Sequence, residues 1–233
     1  MGMIRRGLAA ISAALLLASC TTAKLDPNDP GLVSGYLMVF WVGEDKFVYY
    51  PFYDDPLVFK LPRSMAQKLG SDVTTIRPGA IYTDGGSIPS AVRGWAGLSP
   101  WGYGPAYIVH DWLFVAHHCI VTDQVALHDK RDLAEVDKVR NVDFQMSADM
   151  LAAVIDALVR QNLVPKRDFA PGAIYTAVES GIARSLWDTT RRDSCRPVEP
   201  KIIADIEKKL RAKAFDRLTE DDGGPVLVFQ RRF

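Results

Sequence analysis

The chain has 233 residues, of which 48% are hydrophobic and 24% charged, and its 28 basic and 28 acidic side chains balance to zero. That balance argues against nucleic acid as a partner, because phosphate binding normally shows as a basic surplus. The length suits one domain of ordinary size, with room for a tail.

In chain order, residues 1–20 come first and read MGMIRRGLAAISAALLLASC. Arg5 and Arg6 form a positive start, and the thirteen residues from Gly7 to Ser19 are uncharged and mostly apolar. A helix needs about 20 apolar residues to cross a bilayer, so this run fits the apolar core of a secretory signal rather than an anchor. Leu17-Ala18-Ser19-Cys20 resembles the bacterial lipobox, in which small residues admit the peptidase and the cysteine carries the lipid. The expectation is a signal peptide over residues 1–19, lipidation at Cys20 and a flexible tether over residues 20–32, where two prolines disfavour regular structure. Each buried methylene of such an acyl anchor contributes about 0.8 kcal/mol to membrane attachment. Thr21 follows Cys20 where lipoproteins kept at the inner membrane have Asp. By that resemblance the expected place is the periplasmic leaflet of the outer membrane. Cleavage would leave 214 residues with 26 basic and 28 acidic side chains, a formal charge of −2.

Gly35 to Val42 and Lys46 to Tyr53 are aromatic and β-branched runs separated by Gly43-Glu44-Asp45, the pattern of a hairpin. Leu57 to Leu61 predicts a third strand, and Arg63 to Leu69 a short helix closed by Gly70. Thr74 to Thr83 reads as strand interrupted at Pro78-Gly79. The period then changes. Tyr107 to His118, opened by Gly104-Pro105, predicts a helix, and residues 119–142 a polar excursion with a short helix. Asp143 to Asn162 carries Met146, Met150, Val154 and Leu158 at helical spacing. Pro171 to Trp187 and Lys201 to Leu218 predict two further helices, with Val226 to Phe229 returning as a strand. Strands first and helices after predict an α+β fold, a small antiparallel sheet from the N-terminal half packed on three to four C-terminal helices. The domain is expected over residues 33–190, with a helical extension over residues 191–233.

Two segments concentrate chemistry: Tyr82-Thr83-Asp84-Gly85-Gly86-Ser87-Ile88-Pro89 and Val109-His110-Asp111-Trp112-Leu113-Phe114. The first is a strand end running into a tight turn. The second places a His and an Asp in an apolar helix, where each needs a partner. Together with Trp95, the Trp101 to Pro105 stretch, and Ile174-Tyr175, Gly181 and Trp187, they resemble the bacterial and phage domain-of-unknown-function family numbered 1353. That family is marked by a TDGASIP turn, HDWLY and a later helix acid. Gly86 stands where the family usually has Ala, and Phe114 where it has Tyr. The later acid falls on Asp143 or Asp149. The resemblance, over about residues 45–190, implies a fold unit shared with phage proteins and no settled activity.

The residues admit three readings. In one, Asp84, His110, Asp111 and Asp143 (or Asp149) gather round a divalent metal, with Ser87 or a bound water as nucleophile. Adjacent helical positions point about 100° apart, however, so His110 and Asp111 cannot both chelate without help. In another, Ser87 is the nucleophile, His110 its base and Asp84 or Asp111 the orienting carboxylate. In the third, Asp84, Ser87, His110 and Asp111 form a structural network that pins the turn to the helix. The leading expectation is a non-catalytic envelope or phage-related component that binds a protein or cell-wall partner. The alternative is a hydrolase acting on an envelope substrate such as peptidoglycan. Cys119 and Cys195 admit a disulfide in an oxidising compartment and equally two unpaired thiols. The aromatics from Phe40 to Tyr53 fit cross-strand packing, and the mixed charges of residues 123–140 fit a solvated face.

Overall fold

Gly35 divides the N-terminal strands. In the computed structural model it has φ +90°, and a Cβ there would collide with the carbonyl oxygen of Pro56. Only glycine meets both conditions, and the turn sends the chain out of one sheet and into another. Residues 28–43, 46–70, 72–83, 102–164, 179–212 and 218–233 are described.

Before the turn lies β1 (Leu32–Ser34); after it come β2 (Tyr36–Trp41) and β3 (Phe47–Tyr50). Then follow β4 (Val58–Lys60), α1 (Arg63–Leu69), β5 (Thr75–Ile76) and β6 (Ile81–Thr83). The C-terminal half supplies α2 (Gly104–Val121), α3 (Leu133–Lys138), α4 (Phe144–Arg160), α5 (Gly181–Trp187), α6 (Pro200–Arg211) and β7 (Val226–Arg232). The fold is α+β, with the sheets built mainly from the N-terminal half and the helices from the C-terminal half.

Among the described residues there are two small antiparallel sheets rather than one. One has the order β1-β4-β5 and the other β6-β3-β2-β7. In the second, Val39 lies opposite Tyr49 and Phe40 opposite Val48. β7 pairs along β2 from Tyr36–Arg232 to Trp41–Val226, with a register shift between Val39 and Phe40.

Side chains alternate across a strand, and here both faces are covered. Leu37, Val39 and Tyr49 enter a large core with Ala106, Val109, Trp112 and Leu113 of α2 and Leu151, Val154 and Leu158 of α4. Met38, Phe40, Val48 and Tyr50 face the other way, into a second core with Ile203 and Ile206 of α6 and with Leu227. Burial on both faces explains why β2 reads as one unbroken apolar run. Enclosing one side chain such as Phe40 contributes about 1.5–3 kcal/mol. Residues 191–233, expected as a helical extension, thus supply the layer over the sheet's second face and, through β7, an outer strand.

α2 is the central helix. Pro105 lies in its first turn, where a missing N–H costs nothing. Ile108, Val109, Trp112, Leu113 and Ala116 are each no more than 1% exposed, so the helix is enclosed on most sides. α4 packs against it and begins at Asp143, whose side chain accepts the Met146 N–H. The helix expected from Pro171 to Trp187 is interrupted before its last part. Ser180 sits with extended backbone and accepts the Ala183 N–H, so a fresh helix, α5, starts at Gly181. Residues 165–178 lie outside the described residues.

Candidate functional site

β6 ends at Thr83 against α2. There the Thr83 Oγ1 donates to Asp111 Oδ2 at 2.8 Å. The opening residue of the turn motif is therefore bonded to the acid of the helix motif, across 28 positions of sequence. Asp84 and Ser87 follow immediately in the chain but lie outside the described residues, as do Trp95, Trp101 and Cys20.

His110 diverges from Asp111, as neighbouring helical positions must. Its ring packs on Phe114 one turn on, with centroids 4.8 Å apart. The residue is partly exposed, yet its Nε2 is enclosed and finds no hydrogen-bond partner among the described residues. Burial pushes the imidazole down to about 4, so the ring is neutral near pH 7. A neutral imidazole suits metal ligation but is a weak base.

The two candidate helix acids have other occupations. Asp143 is exposed and caps α4 through a 2.7 Å bond from the Met146 N–H. Asp149 is only 9% exposed and accepts from Gln145 Nε2 at 3.2 Å. Among the described residues, no group of three or more His, Cys, Asp or Glu side chains is placed to hold a metal ion.

Further along α2, His118 Nε2 lies 2.9 Å from the Leu186 carbonyl oxygen, and His117 stacks on Trp187 with centroids 4.0 Å apart. Both contacts dock α5. Cys119 is bonded to Cys195, with S–S 2.08 Å and Cα–Cα 4.6 Å. This bridge ties the end of α2 to the segment leading into α6, closing a span of 76 positions.

Among the described residues, the most heavily buried charge is one the sequence did not single out. Asp132, 1% exposed, sits at the start of α3. It accepts from Tyr53 Oη at 3.1 Å, from the Ala80 N–H at 3.2 Å and from Arg77 Nη1 at 3.3 Å. Arg77 also reaches Glu135 at 3.4 Å and the Arg131 carbonyl at 2.8 Å. Arg131 lies over the Tyr53 ring, 3.9 Å from its centroid, and pairs with Asp129 and Glu207, each at 2.7 Å. Burial raises the Asp132 carboxyl above its ordinary range, opposed by the Ala80 N–H, Arg77 and Tyr53.

Residues 123–140 are therefore no simple solvated face. His128, Asp132 and Glu135 are all under 9% exposed. The reason is long-range: the partners of Asp132 lie 52 to 79 positions away, outside any local window. One sequence feature marks the spot. A Cβ on Gly79 would come within 2.6 Å of Asp132 Oδ2 and 2.8 Å of the Trp112 ring. Pro78-Gly79 is thus the point where the backbone passes against both side chains.

Comparison with protein-family models, with curated proteins and with solved structures finds no match.

Proposed function

We propose that the chain is a lipoprotein of the cell envelope whose folded domain acts as a non-catalytic binding component for a protein or cell-wall partner. In this reading Cys20 carries the lipid, the outer membrane's periplasmic leaflet holds it, and the tether expected over residues 20–32 ends before Leu32, which is already in β1. The observation that carries the non-catalytic part is the Thr83–Asp111 hydrogen bond. It engages the motif acid in joining β6 to α2, and the neighbouring His110 is held neutral by burial. Polar contacts between packed elements, such as this partly buried one, specify a fold without chemistry. The Cys119–Cys195 disulfide fits an oxidising compartment.

A second reading, the divalent-metal-dependent or serine-type hydrolase, draws on the enclosed, unpartnered Nε2 of His110. That atom would be the ligand or the base in this reading.

The experiment is a comparison of full-length wild type, Cys20→Ser and His110→Ala, expressed in a Gram-negative host. Labelled palmitate is expected in the wild type and in His110→Ala, and is lost with Cys20→Ser. Incubated with purified peptidoglycan, with and without added divalent metal, all three are expected to release no soluble fragments. Release that depends on His110 would replace the binding reading with the hydrolase one. Palmitate uptake that survives Cys20→Ser would remove the lipoprotein assignment.

A further inference from the structure

Where α1 meets α4, a shallow pocket of about 10 Å³, open to solvent, is lined by Met65, Lys68, Met146, Asp149 and Met150. From residue 20 onward the chain has four methionines, Met38, Met65, Met146 and Met150, and three of them line this one pocket. Met146 and Met150 are four positions apart on α4 and so share a face, and Met65 approaches from α1. Met65 and Met150 are buried and Met146 is partly exposed, which leaves an entrance on the solvent side.

Methionine is the ordinary filler of irregular gaps, so packing alone must be weighed first. The same two helices fill their other large core positions with branched or aromatic side chains, Leu69 on α1 and Phe144, Leu151, Val154, Ile155 and Leu158 on α4. Thioethers gathered round this opening, beside the carboxylate of Asp149, are a different choice. Thioether sulfur is a soft, uncharged donor that selects copper(I) over zinc or magnesium. It needs no deprotonation and, unlike a thiol, forms no disulfide, so it keeps its donor capacity in an oxidising compartment. Lys68 at the rim is exposed, and its flexible stem lets the ammonium swing into water when a cation enters.

We propose that the Met65, Met146, Met150 pocket, with Asp149 beside it, binds one soft monovalent cation, copper(I) being the biological candidate. This stands apart from the envelope reading and from His110.

Silver(I) is the probe, because it shares copper(I)'s preference and needs no reductant that would open the Cys119–Cys195 bridge. The protein is the full chain carrying Cys20→Ser, which removes the remaining thiol. With ¹³C-labelled methionine methyls, titration is expected to shift the Met65, Met146 and Met150 resonances together at a stoichiometry of about one, while Met38, in the other core, stays put. Met65→Leu and Met146→Leu conserve volume and are expected to weaken silver(I) binding at least tenfold with melting profiles close to wild type. Zinc(II) is expected to move none of the three methyls. Methyl resonances indifferent to silver(I) overturn the proposal, and so does affinity unchanged in both leucine variants. The methyl readout is made on unsubstituted methionines, so it decides the question even where a variant folds poorly.

Discussion

Thr83 and Asp111 are joined side chain to side chain at 2.8 Å, the last residue of β6 to the third turn of α2. A hydroxyl donating to a carboxylate is a charge-assisted bond, contributing about 1.5–3 kcal/mol where it is sheltered. Asp111 is partly exposed, which places this one at the low end. Thr83→Val keeps the β-branched shape and removes the donor. It is expected to cost about 1.5 kcal/mol, a fall in Tm of about 3–6 °C for a domain of this size. A melting curve superimposable on wild type would mean that Asp111 is held by other groups, and the network reading of the motif would lose its main support.

How much of this was legible in the sequence differs from element to element. β2, β3, α2 and α4 declared themselves by period and by their punctuation, Gly104-Pro105 and Asp143 among it, and they lie where the pattern places them. The division into two sheets was hidden, because it depends on Gly35 meeting Pro56, a contact between strands. The two motifs were visible as words, and the bond between Thr83 and Asp111 is what links them in space. Asp132 was illegible for the opposite reason. It sits in a run of mixed charge, and only tertiary folding brings Tyr53, Arg77 and Ala80 to it.

That burial makes Asp132 sensitive to substitution. Asp132→Ala leaves the buried Ala80 N–H and Tyr53 hydroxyl without their acceptor and takes one of the two carboxylates from Arg77. Breaking a buried pair from one side costs about 3–5 kcal/mol. Since Arg77 retains Glu135, a loss of about 3 kcal/mol is expected. Asp132→Asn keeps an acceptor oxygen and should lose less. Urea midpoints that rank the two variants the other way round would show that the carboxylate's charge, not its hydrogen bonds, is what the site requires.

Gly79→Ala tests the same site by volume rather than charge. The added methyl would overlap the Asp132 carboxylate and the rigid Trp112 ring, neither of which has open space to move into. Overpacking of this kind costs about 1–3 kcal/mol. Near-ultraviolet circular dichroism should report a changed Trp112 environment alongside the lower midpoint. A neutral substitution would imply that the backbone at Pro78-Gly79 shifts freely.

The disulfide links Cys119 to Cys195 across 76 positions. Closing a loop of that length lowers the entropy of the unfolded chain, and the chain-entropy relation gives about 4.5 kcal/mol, with strain able to reduce it. Cys119→Ser/Cys195→Ser is expected to lower the urea midpoint by an amount approaching that figure without changing catalytic or binding residues. Because the bridge holds the run into α6, early loss of protection should fall on α6 and β7 in amide exchange. Protection lost evenly over the chain would argue that α6 is held by its apolar face alone.

The last prediction concerns pH. His110 and His128 are both pushed down to about 4 by burial, and the Nε2 of each is enclosed without a partner among the described residues. In the unfolded chain a histidine titrates near 6.5. Between pH 6.5 and about 4, then, the unfolded chain binds a proton at each site and the folded one does not. The stability that goes with the neutral rings is complete above pH 6.5 and is lost as pH falls towards 4. Each site adds a slope approaching about 1.4 kcal/mol per pH unit in that window. Asp132, whose carboxyl is raised, works in the opposite sense, but from the carboxylate range upward. Urea midpoints measured from pH 7 to pH 5 sample the histidines most cleanly. His128→Phe keeps the edge contact on Trp112, now 5.4 Å between centroids, and removes the titration. Its midpoint should fall less steeply with acid than the wild type's, and His110→Phe should behave likewise. Slopes equal to wild type in both variants would mean that these rings take up protons without unfolding the chain.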